Sequence, residues 1–310
     1  MKVNKKTIGI IGSGSHFSKR IYPILLKSSF FKIGGILKKN KINFKNIKYF
    51  NEKDFFEKEF DFVYISCPNL YHEKFIIKSL KVGSHVICEK PFVVRKKNIN
   101  KIIKLSLEKK KLIFETFMYM YHPAFQYIKD VIENKKYGKL HYVISNFRYP
   151  SLQKNNNRYK KTEGDGFFYD SASYLISLEN FLFNKISGKN IKFLCQKIKK
   201  NVDLKGNIFI SSPQGNRFYF WGEGQNYSNN LEIFFEKGVL HIDKFFSKRK
   251  NDKIVVKIFS NKKKEKNIKK TDQFKEMFKT IEKNYLNRSF QKFHALKIKT
   301  QLNLMVKYKI

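Results

Sequence analysis

The first 120 residues alternate short apolar runs with amphipathic stretches. The apolar runs predict buried strands at Thr7–Gly12, Phe31–Leu37, Asp61–Cys67, His85–Cys88 and Leu112–Phe117. The stretches between them predict helices at Ser15–Ser28, Asn51–Lys58, Tyr71–Val82 and Lys97–Lys110. Strands without polar alternation that take turns with helices are typical of a parallel sheet covered on both faces. We therefore expect a doubly wound α/β domain over residues 1–120.

Extended segments dominate after residue 120. They are predicted at Leu140–Arg148, Ile191–Ile198, Ile208–Ser212, Arg217–Trp221, Leu231–Phe235, Val239–Phe245 and Ile254–Phe259. Helices are predicted at Pro123–Asn134, Phe168–Phe183, Asp272–Asn284 and Phe290–Tyr308, and the Lys-rich run Lys262–Lys270 is expected to be a surface loop. This pattern indicates an α+β domain over residues 121–310, built on a large, mostly antiparallel open sheet. Its C-terminal helix is expected either to stay with this domain or to pack back on the first one.

Charge changes this picture little. The chain has 65 Lys and Arg against 25 Asp and Glu, a net charge of +40 that would ordinarily suggest a nucleic-acid partner. Only seven of the basic residues are Arg, the type preferred for bidentate phosphate and base contacts, and the Lys residues are spread through nearly every segment. We therefore expect a solvated basic surface, no specific nucleic-acid partner, and a general attraction for anionic small molecules.

Several other classes of protein are disfavoured by the sequence. No apolar run approaches the ~20 residues of a membrane-spanning helix, and the N-terminus lacks a cleavable signal pattern. The three cysteines are widely spaced without a CxxC pair, which indicates reduced thiols in a cytoplasmic protein. The histidines form no ligand spacing, so we expect no metal.

Glycines follow the first predicted strand at once. Gly12-Ser13-Gly14 opens a helix pattern, where a dinucleotide-binding Rossmann fold needs a tight turn and close backbone approach to the pyrophosphate. The following helix start, Ser15 to Phe17, offers backbone N–H groups to the phosphates. The third position of the fingerprint carries Phe17 instead of Gly or Ala, so a plain tight turn stays an alternative.

The end of the second strand bears on the choice of cofactor. An acid there binds the ribose 2′-OH of NAD, whereas this chain has Lys38-Lys39 and no acid nearby. A basic residue can pair with a 2′-phosphate, so NADP(H) is favoured and NAD(H) stays possible.

Two segments carry a resemblance to a known family. Cys67-Pro-Asn-Leu-Tyr-His is followed, across a predicted helix, by Gly83-Ser-His-Val-Ile-Cys-Glu-Lys-Pro. Residues 115–123, 137–140, 163–174 and 272–274 continue the similarity. The chain resembles the Gfo/Idh/MocA oxidoreductases, and within them the branch with a tyrosine at the end of the 163–174 motif.

The resemblance implies an activity and a partner. The family transfers a hydride between a nicotinamide and a carbonyl or hydroxyl carbon, in this branch on sugars or nucleotide-linked sugars. It also implies a homodimer or homotetramer formed through the antiparallel sheet. A catalytically degenerate dinucleotide-binding sensor or scaffold is the alternative, because Phe17 and Ser171-Ala172-Ser173 depart from the family pattern.

Three residues are expected to perform the chemistry. Lys90 lies at the carboxyl end of a parallel strand, where open α/β sheets bind ligands, and Asp170 and Tyr174 are four residues apart on one predicted helical face. Tyr174 is expected to be the proton donor, Lys90 the polarising group, and Asp170 an orienting or substrate-binding group. Taken singly, each also fits an ordinary role: a surface lysine, a charge at a helix start and a core aromatic.

The remaining candidates are supporting residues. The expected cofactor contacts are Gly12, Ser13, Gly14, Ser15, His16, Phe17, Lys38, Lys39, Cys67, Pro68, Asn69, His72, Glu89 and Lys90. The expected substrate contacts are Lys90, His122, Arg148, Arg158, Asp170 and Tyr174. A turn hydrogen bond or core packing is equally open for His72, and a helix-start role for His122. For Arg148 and for Arg158, a salt bridge or a surface position is favoured over a substrate contact.

Overall fold

The computed structural model describes residues 5–37, 44–154, 156–159, 166–183, 191–198, 202–224 and 226–308. The chain forms two compact units. One consists of Met1–Thr116 together with Phe278–Ile310, and the other of Phe117–Met277. The chain therefore leaves the first unit once and returns to it for its last segment.

Among its described residues, the first unit contains six strands joined by helices. The strands are β1 Lys6–Ile11, β2 Phe31–Leu37, β3 Tyr49–Phe50, β4 Phe62–Ile65, β5 His85–Cys88 and β6 Ile113–Glu115. A π-helical turn, Phe17–Ile21, continues into α1 Tyr22–Leu26, and α2 Glu52–Glu57, α3 His72–Lys81 and α4 Ile99–Glu108 follow. The predicted strands and helices of this region are all present: β2 and β5 have the predicted bounds, β1 begins and ends one residue earlier, and the others are shorter. Strand β3 is too short to show a hydrophobic pattern, and it was not predicted.

The six strands form one parallel sheet in the order β3-β2-β1-β4-β5-β6. Strands β4 and β5 are buried at every position, as expected for strands covered on both faces. The strand order reverses between β1 and β4, and open α/β sheets bind their ligands at such a reversal, beyond the carboxyl ends of the strands.

In the part of the second unit that the structure describes, helices are combined with eight strands. The strands are β7 Leu140–Tyr149, β8 Ile191–Ile198, β9 Val202–Ile210, β10 Asn216–Glu223, β11 Ser228–Phe235, β12 Gly238–Asp243, β13 Ile254–Phe259 and β14 Lys263–Ile268. Helix α5 spans Pro123–Glu133, and α6 Ser173–Leu178 is flanked by π-helical turns at Phe168–Ala172 and Glu179–Phe183. Helix α7 Gln273–Asn284 passes from this unit into the first, which also contains α8 Arg288–Tyr308.

The second sheet has the order β14-β13-β12-β11-β7-β10-β9-β8. Neighbouring strands are antiparallel except for β7 and β10, which pair in parallel. A parallel α/β sheet followed by a large, mostly antiparallel sheet is the predicted fold class, and it is confirmed.

The expectation of a surface loop at Lys262–Lys270 is wrong. Residues Lys263–Ile268 form β14, which pairs antiparallel with β13 at the edge of the sheet. Five of its six residues are exposed, so its composition matches that of a loop although its backbone is paired on one side. Lysines on an edge strand also oppose pairing with a further chain.

The helices of the first unit bury the sheet. Ala295, Ile298 and Leu302 of α8 belong to the same apolar cluster as Ile102 of α4 and Ile113 of β6. Burying an isoleucine or leucine side chain contributes about 1.5–3 kcal/mol. The carboxyl-terminal helix is therefore an integral part of the first unit.

The two faces of the second sheet differ. Strand β11 alternates half-buried and buried residues along its whole length. Phe147 of β7 faces the helices, with its ring 5.0 Å from that of Tyr174. The opposite face carries a row of half-buried aromatic side chains that crosses four strands, namely Phe209, Phe218, Tyr142 and Phe234.

Within the described ranges, we find no helix that combines the length and apolar character needed to cross a membrane.

Candidate active site

The glycine turn after β1 lies directly against the turn after β4. Gly12 has φ +91°, and a Cβ built on it would lie 2.4 Å from the backbone nitrogen of Cys67. The Ser66 hydroxyl donates to the carbonyl of Gly12 at 2.5 Å. Position 12 therefore requires glycine for two reasons: the positive φ disfavours other residues, and the neighbouring backbone leaves no room for a Cβ.

Gly14 presents the opposite situation. A Cβ built there would meet no heavy atom within 4 Å, and the backbone enters the helix at this point, with Ser18 N–H donating to the Gly14 carbonyl at 3.0 Å. Ser15 and His16, which follow, are exposed. Open space in front of a glycine at a helix start fits the pyrophosphate of a dinucleotide, which backbone N–H groups and the helix dipole attract.

Phe17 is buried beneath this turn. Its ring packs against Phe44 at 5.6 Å, Tyr22 at 6.0 Å and Tyr64 at 6.1 Å. The side chain is therefore part of the aromatic core, and the departure from the usual small residue is accommodated by packing. Any cofactor contact of this residue would fall to its backbone.

Lys38 and Lys39 lie outside the described residues. Leu37, at the end of β2, is the last described residue before them. Their pairing with a 2′-phosphate stays a prediction.

His72 connects the turn after β4 to the segment after β5. It is fully buried at the start of α3, with Nδ1 2.9 Å from the carbonyl oxygen of Pro91 and Nε2 2.8 Å from that of Cys67. Burial lowers the pKa of His72, although both backbone contacts oppose the shift. His72 therefore has the turn hydrogen bond that the sequence left open as an alternative. Its contact with Pro91 holds the residue that follows Lys90.

Glu115, the last residue of β6, supports the same segment from the other side. Its carboxyl group accepts a hydrogen bond from the backbone N–H of Phe92 at 2.8 Å. Burial raises the pKa of Glu115 to about 8, although this hydrogen bond and the charge of Lys90 act in the opposite direction. Half-buried Lys90 is therefore followed by a backbone held on both sides by buried side chains.

Glu89 joins the Lys90 segment to the glycine turn. Its Oε1 lies 3.1 Å from Nε2 of His16 and also accepts a hydrogen bond from the hydroxyl of Tyr64. Burial alone would raise the pKa of Glu89, but the charge and hydrogen bond of His16 and the Tyr64 hydroxyl lower it to about 2. The glycine turn, the turn after β4 and the Lys90 segment thus form one connected region.

In the second unit, Asp170 lies in a polar cluster with two partners. Its Oδ2 is 2.7 Å from Nε of Arg158 and accepts a hydrogen bond from the Tyr149 hydroxyl at 2.5 Å. Burial, followed by the Asp170 charge, raises the pKa of Tyr149. Burial alone would lower the pKa of Arg158, but its pairing with Asp170 raises it. The favoured salt-bridge role of Arg158 is present, and its partner is a predicted site residue.

Tyr174 is surrounded by aromatic rings at the start of α6. Its hydroxyl donates to Sδ of Met118 at 3.5 Å, and its ring lies 5.5 Å from Phe117. Asp170 lies in the π-helical turn Phe168–Ala172, which leads directly into α6, so the two residues belong to one continuous helical segment. Arg158 interacts electrostatically with both Asp170 and Tyr174.

The other two substrate candidates of this unit have structural partners. Nδ1 of His122 accepts from the N–H of Ala124 at 3.1 Å, which is the open helix-start role, and burial lowers its pKa to about 3. The Arg148 guanidinium lies 4.8 Å from the ring centre of Phe220 and lines a cavity of about 530 Å³. Since Arg148 follows Phe147, it points to the opposite face of the sheet from Tyr174, and the structure does not bring the two together.

Three polar residues of these clusters were not among the sequence candidates: Tyr64, Glu115 and Tyr149. Glu115 and Tyr149 each end a strand, so a polar residue that closes an apolar run is the signal that could have found them. Tyr64 lies within an apolar strand, where nothing separates it from an ordinary core aromatic. No group of three or more His, Cys, Asp or Glu suited to a metal ion occurs among the residues that the structure describes.

Comparisons with protein families match this architecture. Residues 6–117 match the model of the oxidoreductase family with an NAD-binding Rossmann fold, and residues 125–241 match the Gfo/Idh/MocA carboxyl-terminal domain. The chain belongs to the Gfo/Idh/MocA oxidoreductase family, so the family suggested by the sequence is confirmed.

Individual relatives are distant. The chain is 24% identical over 203 residues to dTDP-3,4-didehydro-2,6-dideoxy-α-D-glucose 3-reductase of Actinomadura kijaniata, covering 64% of this chain but only 60% of that enzyme. Among solved structures, the 3-ketoreductase KijD10 of the same organism, in complex with NADP and TDP-benzene, superposes with a TM-score of 0.88 at 20% identity, covering 98% and 96% of the two chains. An aldose-aldose oxidoreductase of Caulobacter crescentus gives 0.82 at 13% identity, covering 98% and 97%.

Proposed function

We propose that this protein is an NADP(H)-dependent oxidoreductase acting on a carbonyl or hydroxyl carbon of a sugar, with a nucleotide-linked sugar as the favoured substrate. The observation that carries the proposal is the contact between Glu89 and His16, 3.1 Å long. It joins the segment that bears Lys90 to the turn that would hold the cofactor pyrophosphate. A lysine so placed can act on a substrate at the cofactor's reactive end.

The nicotinamide supplies or accepts the hydride. Reduction of a ketone places negative charge on its oxygen, and the ammonium group of Lys90 would stabilise that charge. The hydroxyl of Tyr174 would donate the proton to this oxygen, and Asp170, held by Arg158 and Tyr149, would orient the sugar. The aromatic surroundings of Tyr174 limit the access of water to its hydroxyl.

Two considerations support the choice of cofactor and substrate. Lys38 and Lys39 follow β2 at the position where an acid would favour NAD, and a family relative, the scyllo-inositol 2-dehydrogenase of Bacillus subtilis, is named for NADP(+). The Actinomadura relative is a nucleotide-sugar 3-reductase, and a net charge of +40 attracts substrates that carry a diphosphate.

The test combines binding and turnover. NADPH oxidation is followed with a panel of nucleotide-linked and free ketosugars, using wild type, Lys90→Ala, Tyr174→Phe and the double variant. We expect each single variant to lose roughly 10²–10⁴-fold in kcat while NADPH still binds. Exposed Lys97 provides the matched control, and Lys97→Ala should turn over as wild type. Undiminished turnover in the double variant would remove these residues from the mechanism.

The second candidate function is a non-catalytic dinucleotide sensor or scaffold. It is favoured by Phe17, which occupies a position where a small residue is usual, and by Ser171-Ala172-Ser173 after Asp170. Tight NADPH binding with no turnover across the whole panel would support it over the enzyme.

We also propose self-association through the second sheet, to a dimer or tetramer. The row Phe209, Phe218, Tyr142 and Phe234 supports this, since it crosses four strands on the face away from the helices, with ring centres 4.2–6.3 Å apart. An aromatic row of this length on a sheet face is typical of an interface. Light scattering after size exclusion should show an oligomer that Phe218→Glu dissociates, and a monomeric wild type would contradict the proposal.

A further inference from the structure

His16 occupies a particular position in the glycine turn. Its side chain is 44% exposed, at the first helical residues after Gly14, and Nε2 lies 3.1 Å from Oε1 of Glu89. The Glu89 side chain is only 16% exposed, and the hydroxyl of Tyr64 donates to the same oxygen. An accessible imidazole therefore covers a largely buried carboxylate at the edge of the region where a pyrophosphate would bind.

The charges around His16 favour its protonated form. Burial by itself would lower the pKa of His16, but the charge and hydrogen bond of Glu89 outweigh it and raise the pKa above its ordinary value. Lys90 on the adjoining segment and Arg20 on the same helix oppose this effect. An imidazolium paired with Glu89 thus offers a positive charge near the open space at Gly14.

We propose that protonated His16 is an anion ligand of the nucleotide site, held there by Glu89 and directed at the pyrophosphate of the cofactor. This inference rests on the proposed dinucleotide function. It follows from a balance of charge, since an anionic cofactor brought close to the Glu89 carboxylate would be repelled unless His16 neutralised it. Loss of the His16 proton would remove the positive charge that neutralises this carboxylate, and nucleotide affinity would fall.

The same carboxylate belongs to the residue that precedes Lys90. Glu89 is anchored through its N–H to the carbonyl of Ile65 at 2.8 Å, and its side chain reaches the glycine turn. His16 and Glu89 therefore connect the nucleotide turn to the segment that carries the proposed catalytic lysine. The contact between His16 and Glu89 would therefore affect both the binding of the phosphates and the position of Lys90.

Fluorescence titration with NADPH, between about pH 6 and about pH 9, tests the proposal on the full chain. We expect the Kd of wild type to rise roughly tenfold as His16 loses its proton. His16→Gln should bind about tenfold more weakly at the acid end, with a Kd that varies little with pH. The matched control is Lys19→Gln, which removes an exposed cation from the same helical turn and should keep the wild-type profile.

Glu89→Gln keeps an acceptor for Tyr64 but removes the charge. The pKa of His16, followed by NMR of its ring Cε1–H and assigned with His16→Gln, should fall, and the loss of NADPH affinity should move to lower pH with it. An unchanged affinity and pH profile in His16→Gln would overturn the inference and leave the oxidoreductase proposal intact. Wild type that bound no NADPH at any pH would overturn both, whereas pH-dependent binding without turnover would overturn only the proposed activity.

Discussion

The backbone N–H of Phe92, which lies two residues after Lys90, donates a hydrogen bond to the buried carboxyl group of Glu115. The contact joins the end of β6 to the segment that leaves β5. It places an acidic residue where only its acceptor oxygen, and not its charge, is needed. The protonation state of Glu115 should therefore affect the free energy of unfolding. Its hydrogen bond to Phe92 should affect the position of the segment that carries Lys90.

Stability should fall as the pH rises from about 4.5 to about 8, because burial keeps Glu115 protonated in the folded chain. Its pKa is raised to about 8 in the folded chain, so between about 4.5 and about 8 the unfolded chain has released a proton that the folded chain retains. The free energy of unfolding should then decrease by up to about 1.4 kcal/mol per pH unit across this window. Glu115→Gln should lack this decrease, as measured by urea unfolding at several pH values. Parallel pH profiles for the two proteins would contradict the prediction.

Glu115→Leu should behave differently from Glu115→Gln in activity. Glutamine still accepts from the Phe92 N–H, whereas leucine leaves that buried donor without its acceptor, at a cost of about 1–3 kcal/mol. We expect Glu115→Leu to lower kcat with little change in the Kd for NADPH, and Glu115→Gln to retain most of the activity. Steady-state kinetics combined with nucleotide titration separates the two effects.

The two glycines of the turn provide a matched pair. Alanine at position 12 would place its Cβ against backbone atoms at a φ of +91° and should destabilise the fold by about 1–3 kcal/mol. Alanine at position 14 meets no atom of the protein within 4 Å, so Gly14→Ala should melt near the wild-type temperature. Its methyl group would still occupy space proposed for the pyrophosphate, and NADPH affinity should fall. Wild-type affinity in Gly14→Ala would place the phosphates elsewhere.

Lys38 and Lys39 are expected to determine the choice between cofactors. Replacing both by alanine should weaken NADPH roughly 10–100-fold and leave NADH nearly unaffected, because only NADPH carries the 2′-phosphate. Titration of each nucleotide measures the ratio of the two affinities. Equal losses for both would show that the lysines act only through general charge.

Asp170 should matter more for turnover than for stability. The Arg158 side chain is 39% exposed, so the ion pair itself contributes no more than about 1 kcal/mol. Asp170→Asn should therefore shift the melting temperature slightly, while kcat/KM with an active ketosugar drops at least roughly tenfold if the carboxylate orients the substrate. A loss of activity no larger than the loss of stability would assign Asp170 a structural role.

Periodic patterns predicted most of the fold. The apolar runs located β1, β2, β4, β5 and β6 because strands buried on both faces leave a continuous hydrophobic signal. The edge strand β14 was missed because five of its six residues face solvent, and its pairing with β13 depends on a neighbour and not on its own composition. Sequence spacing predicted one helical face for Asp170 and Tyr174, but it gave no sign that the backbone is π-helical from Phe168 to Ala172 before α6 begins.

Motifs indicated Gly12, Glu89 and Lys90 as candidates from the sequence alone, because the glycine turn and the strand ends that bind ligands have fixed places in a Rossmann fold. Which side chains hold them was decided by tertiary structure. Glu115 reaches Phe92 across 23 residues, and His16 reaches Glu89 across 73. No local pattern encodes such contacts, because they arise only when β1, β4, β5 and β6 align in one sheet and bring their carboxyl ends together.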